Sequence, residues 1–168
     1  MNFNEYMIKA TETAIYPTAL KTSFGPAYLA MKLCGEAAEL WQALDSINWL
    51  KESGDLLWYS SQLALEFGIY EIKFPTDHTH WNAEDSPAIM ILACEIAEYI
   101  GKLYRDRGGI IEHVDRLFVN DKLDDILICL DFAARQHGIA LEQVAEMNLQ
   151  KLADRKKRNM LHGSGDNR

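Results

Sequence analysis

Apolar residues recur at intervals of three and four along most of this chain, which is the spacing of one face of an α-helix. The period is clearest in three sets: Leu29, Leu33, Leu40 and Ala43; Leu56, Tyr59, Leu63 and Phe67; and Ile91, Cys94, Ala97, Ile100 and Tyr104. No segment alternates apolar and polar residues over a strand's length between turn signals. The sequence therefore predicts an all-α helical bundle of about five to six helices.

Proline and glycine mark the predicted ends of these helices. A short amphipathic first helix stops before Pro17, and Gly68 and Gly138 fall where left-handed C-terminal caps are expected. Ser86 and Pro87 favour a helix start, as cap and first-turn residue. The predicted helices cover residues 1–16, 26–43, 48–67, 86–107, 114–137 and 141–158.

Charge and composition narrow the class of protein. The 168 residues suit one domain, and 25 acidic against 17 basic residues give a net charge of −8, which opposes a broad contact with duplex nucleic acid. The first ten residues lack the apolar core of a signal peptide, and no apolar run approaches the roughly 18 residues of a membrane span. We therefore expect a single cytoplasmic domain over residues 1–168, without membrane contact.

The chain holds three cysteines, an odd number that share no Cys-x-x-Cys spacing and lie among apolar neighbours. This pattern predicts reduced, buried thiols rather than a disulfide framework at Cys34, Cys94 and Cys129.

Two stretches of the first half recur in the second. Residues 35–40 (GEAAEL) resemble residues 94–99 (CEIAEY), and residues 54–59 (GDLLWY) resemble residues 124–129 (DDILIC). A helical hairpin cannot bury its apolar stripe alone. The halves, about 1–72 and 86–158, are therefore predicted to pack together as a pseudo-dimer, with a loop over 73–85 and a tail over 159–168.

Paired acidic residues most clearly suggest a chemical function for this chain. Glu36 and Glu39 share a helix face, as do Glu52 and Asp55 on the next helix, and antiparallel packing would bring the pairs together. Facing carboxylates repel unless divalent cations neutralise them. Oxygen ligands without histidine favour Mg²⁺ or Mn²⁺ over a di-iron centre, and Mg²⁺ commonly bridges to substrate phosphates.

Acidic pairs at this spacing are also common on solvated helix faces, where Lys or Arg partners stabilise them. Both pairs here lie in apolar stretches beside Ala37, Leu40 and Leu56, which favours a built site. Spacing alone leaves both interpretations open.

The two pairs resemble the signature of the MazG-like all-α NTP pyrophosphohydrolase superfamily. That signature is Glu-x-x-Glu, matched at Glu36 and Glu39, then a spacer of a dozen or more residues and Glu-x-x-Asp, matched at Glu52 and Asp55. The surrounding residues 33–40 and 52–59 are similar to the family as well. The C-terminal Asn148-x-x-Lys151-Leu152-x-x-Arg155 is similar to phage and prophage members.

The resemblance implies an enzyme that cleaves a (d)NTP to (d)NMP and pyrophosphate, with Mg²⁺ held by the four acids as metal ligands and catalytic residues. It also implies that Asn148, Lys151 and Arg155 bind the nucleotide from one face of the last helix, where a solvated face is the alternative. Because dimeric dUTPases belong to this superfamily, we expect a homodimer or higher homo-oligomer.

Lys122 stands where the first half has Glu52, and an ammonium group cannot ligate Mg²⁺. We therefore expect Glu95, Glu98 and Asp125 to pair with Lys122 and the chain to hold one metal site. Two other functions stay open: a catalytically weak helical module that binds nucleotides or a protein partner, and a purely structural bundle.

Overall fold

The computed structural model describes residues 1–16, 24–75 and 86–161. Within these ranges the chain forms helices and one 3₁₀ turn, without a strand, which confirms the all-α prediction. The elements are α1 (Phe3–Ala10), the 3₁₀ turn (Thr11–Thr13), α2 (Phe24–Gln42), α3 (Ser46–Glu66), α4 (Ser86–Arg107), α5 (His113–Gln136) and α6 (Leu141–Lys157).

The helix ends follow the local signals. Gly68 and Gly138 have positive φ angles of 67° and 72°, so both residues form the predicted left-handed caps. At the start of α3, the Asp45 side chain accepts hydrogen bonds from the backbone N–H groups of Ile47 and Asn48 at 3.0 and 2.9 Å.

The first helix is shorter than predicted. It ends at Ala10 and continues only as the 3₁₀ turn. The hydroxyl groups of Thr11 and Thr13 donate to backbone carbonyls of α1, at 2.9 and 2.8 Å, and such bonds offer the backbone an alternative to helix. Pro17, the predicted stop, lies outside the described residues.

Helix α2 packs on both α3 and α4, and α3 also contacts α5. The two hairpins, α2–α3 and α4–α5, therefore touch through their first helices and through their second helices. Helix α6 packs across α3 and α1, and so closes one side of the first hairpin. Fully buried apolar side chains fill the interior, among them Leu29, Leu33, Leu56, Leu63, Ile96 and Leu127.

An ordered segment leads into the connecting loop predicted over residues 73–85. Residues 69–75 have no regular structure, but Ile69, Ile72 and Phe74 are buried, and the Phe74 ring meets Phe3 edge-on at 5.4 Å between centroids. The rest of that loop, residues 76–85, and the tail residues 162–168 lie outside the described part of the chain.

All three cysteines are free, but the prediction that all are buried was wrong. Cys129 is buried, Cys34 is half-buried and Cys94 is exposed. In the repeat Cys94 aligns with Gly35, which is half-buried.

In the described ranges, no helix has the combination of length and apolar character that spanning a bilayer requires.

Candidate metal centre

Three of the four predicted acids converge where α2 faces α3. One carboxylate oxygen from each of Glu36, Glu39 and Glu52 lies within 4.8 Å of the other two. Glu36 is buried, Glu52 is half-buried and Glu39 is exposed, so the group opens from the helix interface to solvent. Helical spacing on α2 and antiparallel packing of α3 produce this convergence, as the sequence predicted.

These donors fit a hard divalent cation. Octahedral Mg²⁺ holds its ligands at about 2.1 Å, so oxygens in its shell are about 3.0 Å apart when adjacent and about 4.2 Å apart when opposite. Because the three carboxylate oxygens lie within 4.8 Å of one another, side-chain movements of about 1 Å are enough to reach these separations. Solvent on the Glu39 side leaves room for the waters that Mg²⁺ usually keeps.

The environment of Glu36 disfavours an uncompensated negative charge. Burial raises the pKa of the Glu36 carboxyl, the adjacent Lys32 opposes this shift, and the charges of Asp55 and Glu39 add to it. Lys32 lies one turn earlier on α2, and its Nζ is 2.9 Å from Glu36 Oε1. A cation at this position is therefore already part of the site.

Asp55 lies outside the group of three carboxylates, although all four acids were predicted to act together. Its Oδ1 accepts hydrogen bonds from Lys151 Nζ at 2.6 Å and from Asn148 Nδ2 at 3.2 Å, both on α6. Asp55 remains near enough to Glu36 to influence that carboxyl electrostatically. The structure thus places Asp55 between the acidic group and α6.

Asn148 is anchored in the core by a residue that the sequence did not single out. Its Oδ1 accepts a 2.8 Å hydrogen bond from the Tyr6 hydroxyl, which is fully buried. Burial, and secondarily the charge of Asp55, raises the pKa of Tyr6 far above its usual range, so this hydroxyl stays a donor. Tyr6 and Asn148 are 142 residues apart, and no local pattern could have paired them.

The proposed nucleotide face of α6 is not a solvated face. Asn148 is 3% exposed and Arg155 is 4% exposed, which excludes that alternative for both residues. Lys151 is partly buried through its ion pair with Asp55. A cavity of about 270 Å³ lies beside this face, lined by Ile47, Leu50, Lys51, Gly54, Met147, Asn148 and Lys151.

The glutamates of the second acidic cluster, Glu95 and Glu98, pair with different lysines. Lys122 Nζ lies 2.7 Å from Glu95, as expected, but Glu98 pairs with Lys102 at 3.0 Å, so the expectation that Lys122 pairs with Glu98 was wrong. Burial raises the pKa of Asp125, the negative charge of Asp121 adds to this, and Lys122 opposes it. Among the described residues, the group of three carboxylates forms only in the first half.

Two of the four tryptophans of the chain, Trp49 and Trp58, belong to the core. The Trp58 indole N–H donates to Ala10 O and Thr13 Oγ1 at 3.2 and 3.1 Å, and Trp49 stacks on His137 at 4.3 Å between centroids. Trp41 is 52% exposed, and Trp81 lies outside the described residues.

Lys32 is the second site residue that the sequence did not single out. The sequence did contain a signal for Lys32, because Lys32 and Glu36 have the i,i+4 spacing of a helix ion pair. Such pairs are common on any helix, so the spacing alone did not distinguish it.

Comparison with known proteins gives one informative similarity. The chain is 38% identical over 76 residues to the Gene 37 protein of Mycobacterium phage L5, and the match spans 45% of this chain and 67% of that protein. No family model matches the chain. No solved structure matches it either.

Proposed function

This chain belongs to the family of the Gene 37 protein of Mycobacterium phage L5, and on the geometry of its acidic site we propose that it is a magnesium-dependent nucleoside triphosphate pyrophosphohydrolase. The observation that carries the proposal is the convergence of Glu36, Glu39 and Glu52 within 4.8 Å, beside a helix that presents Lys151. Acidic oxygens for a cation next to a basic group for phosphates are the two components that such a reaction needs.

The reaction adds one water across the anhydride bond between the α- and β-phosphates and yields a monophosphate and pyrophosphate. Bound Mg²⁺ would neutralise phosphate charge and lower the pKa of a water nucleophile. The three glutamates would hold the cation, and Asp55, bonded to Lys151 and Asn148, would add negative charge next to them. Lys151, which borders the cavity, would bind the phosphates from α6, whereas the predicted phosphate contact of Arg155 would require its 4% exposed side chain to become accessible.

The cavity between α3 and α6 supports a nucleoside as the other part of the substrate. Ile47, Leu50 and Met147 give it an apolar wall, and Asn148 and Lys151, which both bond to Asp55, form its border with the acidic site. A base in the cavity would therefore place its phosphates toward the carboxylates. The proposed substrate class is therefore (d)NTP.

The expected assembly is a homodimer or a higher homo-oligomer. A mass measurement by light scattering would test it.

The first prediction tests Glu52 as a metal ligand. We expect the purified protein to release pyrophosphate from at least one nucleotide of a (d)NTP panel when Mg²⁺ or Mn²⁺ is present. Glu52→Gln removes one anionic oxygen and should lower kcat/KM by about 100-fold or more, since even residues that only support ligands are worth 10- to 100-fold.

Glu98→Gln is the matched control, because Glu98 is an exposed acid of the second cluster on a similar motif. It should keep wild-type turnover, and circular dichroism should show that both variants fold. Full metal-dependent hydrolysis by Glu52→Gln would show that the glutamate assignment is wrong.

A catalytically weak module that binds nucleotides or a protein partner is the second candidate. It is favoured by the ion pairs Lys32–Glu36 and Lys151–Asp55, which already compensate two of the four acids. Metal-dependent nucleotide binding without pyrophosphate release from any of the panel would support this function over catalysis.

A further inference from the structure

Lys32 lies directly beside the proposed metal ligands. Its Nζ lies 2.9 Å from Glu36 Oε1 and 5.3 Å from the centroid of the Tyr59 ring. Glu36 and Glu39 both attract it electrostatically. The Glu36 side chain is 8% exposed, whereas that of Lys32 is 38% exposed. The lysine is therefore the mobile partner, and the carboxylate is the fixed one.

The clustered carboxylates need a compensating positive charge when no metal is bound. Carboxylate oxygens within 4.8 Å of one another near a protein surface repel, and salt only partly screens them. Lys32 relieves part of that repulsion, since it faces two of the three clustered acids. A divalent cation bound to Glu36 would compete with the lysine for the same oxygen.

We propose that Lys32 is a resident counter-cation that a divalent metal displaces from Glu36, and that the released ammonium group then binds the substrate's phosphates. This inference rests on the proposed function. Lys32 has three N–H donors and a flexible stem, and the Tyr59 ring, 5.3 Å from its Nζ, can hold the charge beside the site after Glu36 is lost as a partner. Lys151 stands in the same relation to Asp55, at 2.6 Å, so the two lysines flank the acids from α2 and α6.

Two binding measurements test this exchange without turnover. The first titrates Mn²⁺ alone, followed by electron paramagnetic resonance, into wild type and Lys32→Gln. Removing the competing ammonium should tighten Mn²⁺ binding by about five- to tenfold. The second titrates inorganic pyrophosphate at saturating Mg²⁺, where loss of a charged donor should weaken binding by about tenfold. Pyrophosphate carries no base, so base preference does not enter.

Lys102→Gln is the matched control, because Lys102 forms an i,i+4 ion pair of similar length, 3.0 Å, with Glu98 away from the site. It should change neither affinity. Lys32→Arg keeps the charge and should retain near wild-type values in both titrations.

The two opposite changes in Lys32→Gln are a signature that a merely structural ion pair would not give. Unchanged Mn²⁺ affinity, weaker Mn²⁺ affinity, or unchanged pyrophosphate affinity would each overturn the exchange. If wild type bound no Mn²⁺, or bound it equally well as Glu52→Gln, the metal site itself would be wrong. Failure of the exchange and failure of the proposed function are thus distinguishable.

Discussion

Asp115 is a carboxylate with no exposed surface at the beginning of α5, yet it stays ionised. Burial opposes its charge, but hydrogen bonds from Arg107, from the Tyr99 hydroxyl at 2.6 Å and from the Glu112 backbone N–H at 2.7 Å outweigh it and lower the pKa of Asp115. This one residue joins the end of α4 to the start of α5.

We predict that Asp115→Asn lowers the Tm at pH 7 by about 5 °C, because it weakens charge-assisted hydrogen bonds. A carboxyl whose pKa is lower in the folded state stabilises the protein above its unfolded pKa, about 3.9, and loses this effect as pH falls toward the folded value. The difference in Tm between wild type and variant should therefore shrink below about pH 4. Calorimetry from pH 7 downward measures it.

Asp106→Asn is the control, since Asp106 is exposed and forms its ion pair with the exposed Arg105. It should leave the Tm unchanged at every pH. A difference for Asp115→Asn that stayed constant down to pH 3 would mean that the charge of Asp115 does not stabilise the fold.

At the scale of helices, α3 and α6 approach each other closely at Gly54. A Cβ atom built on Gly54 would lie 3.0 Å from both Cβ and Nδ2 of Asn148. That contact sets the position of Asn148, and through it the position of Asp55, the next residue on α3. Glycine here permits the close approach and is not needed for backbone freedom.

We predict that Gly54→Ala lowers the free energy of unfolding by about 1–3 kcal/mol, because the added methyl group forces α6 outward. Gly35→Ala is the matched change on α2, where nothing lies within 4 Å of the new Cβ, and should raise stability by about 0.5–1 kcal/mol through helix propensity. Urea denaturation measures both. Equal stability of Gly54→Ala and wild type would show that α3 and α6 can move apart to fit the methyl group without a loss of stability.

The helices were predictable because their signals are local. Apolar periodicity, the caps at Gly68 and Gly138 and the i,i+3 spacing of the acids all lie within one turn or one helix. The partners of those acids were not predictable, because Lys151 reaches Asp55 from 96 residues away. The sequence thus located the carboxylates, whereas tertiary packing decided that Asp55 joins α6 rather than the other three acids.

At the scale of the whole molecule, the two hairpins are similar in sequence but differ in the partners of their acidic residues. Each begins with a helix carrying Glu-x-x-Glu, and these helices, α2 and α4, pack on each other. In the second hairpin Lys122 occupies the position of Glu52 and binds Glu95, while Lys102 binds Glu98. Its acids are therefore compensated by lysines within their own half.

Asp125 corresponds to Asp55 in the repeat, and its contribution decides between one site and two. Burial raises the pKa of Asp125, and the negative charge of Asp121 adds to the shift, so its ionised form is disfavoured where it lies. We predict that Asp125→Asn folds with an unchanged or slightly higher Tm and keeps at least about half of the wild-type metal-dependent turnover. Pyrophosphate release, measured beside Glu52→Gln, checks this. Complete loss of turnover in a folded Asp125→Asn protein would require a catalytic role for the second half, because no structural defect would then account for it.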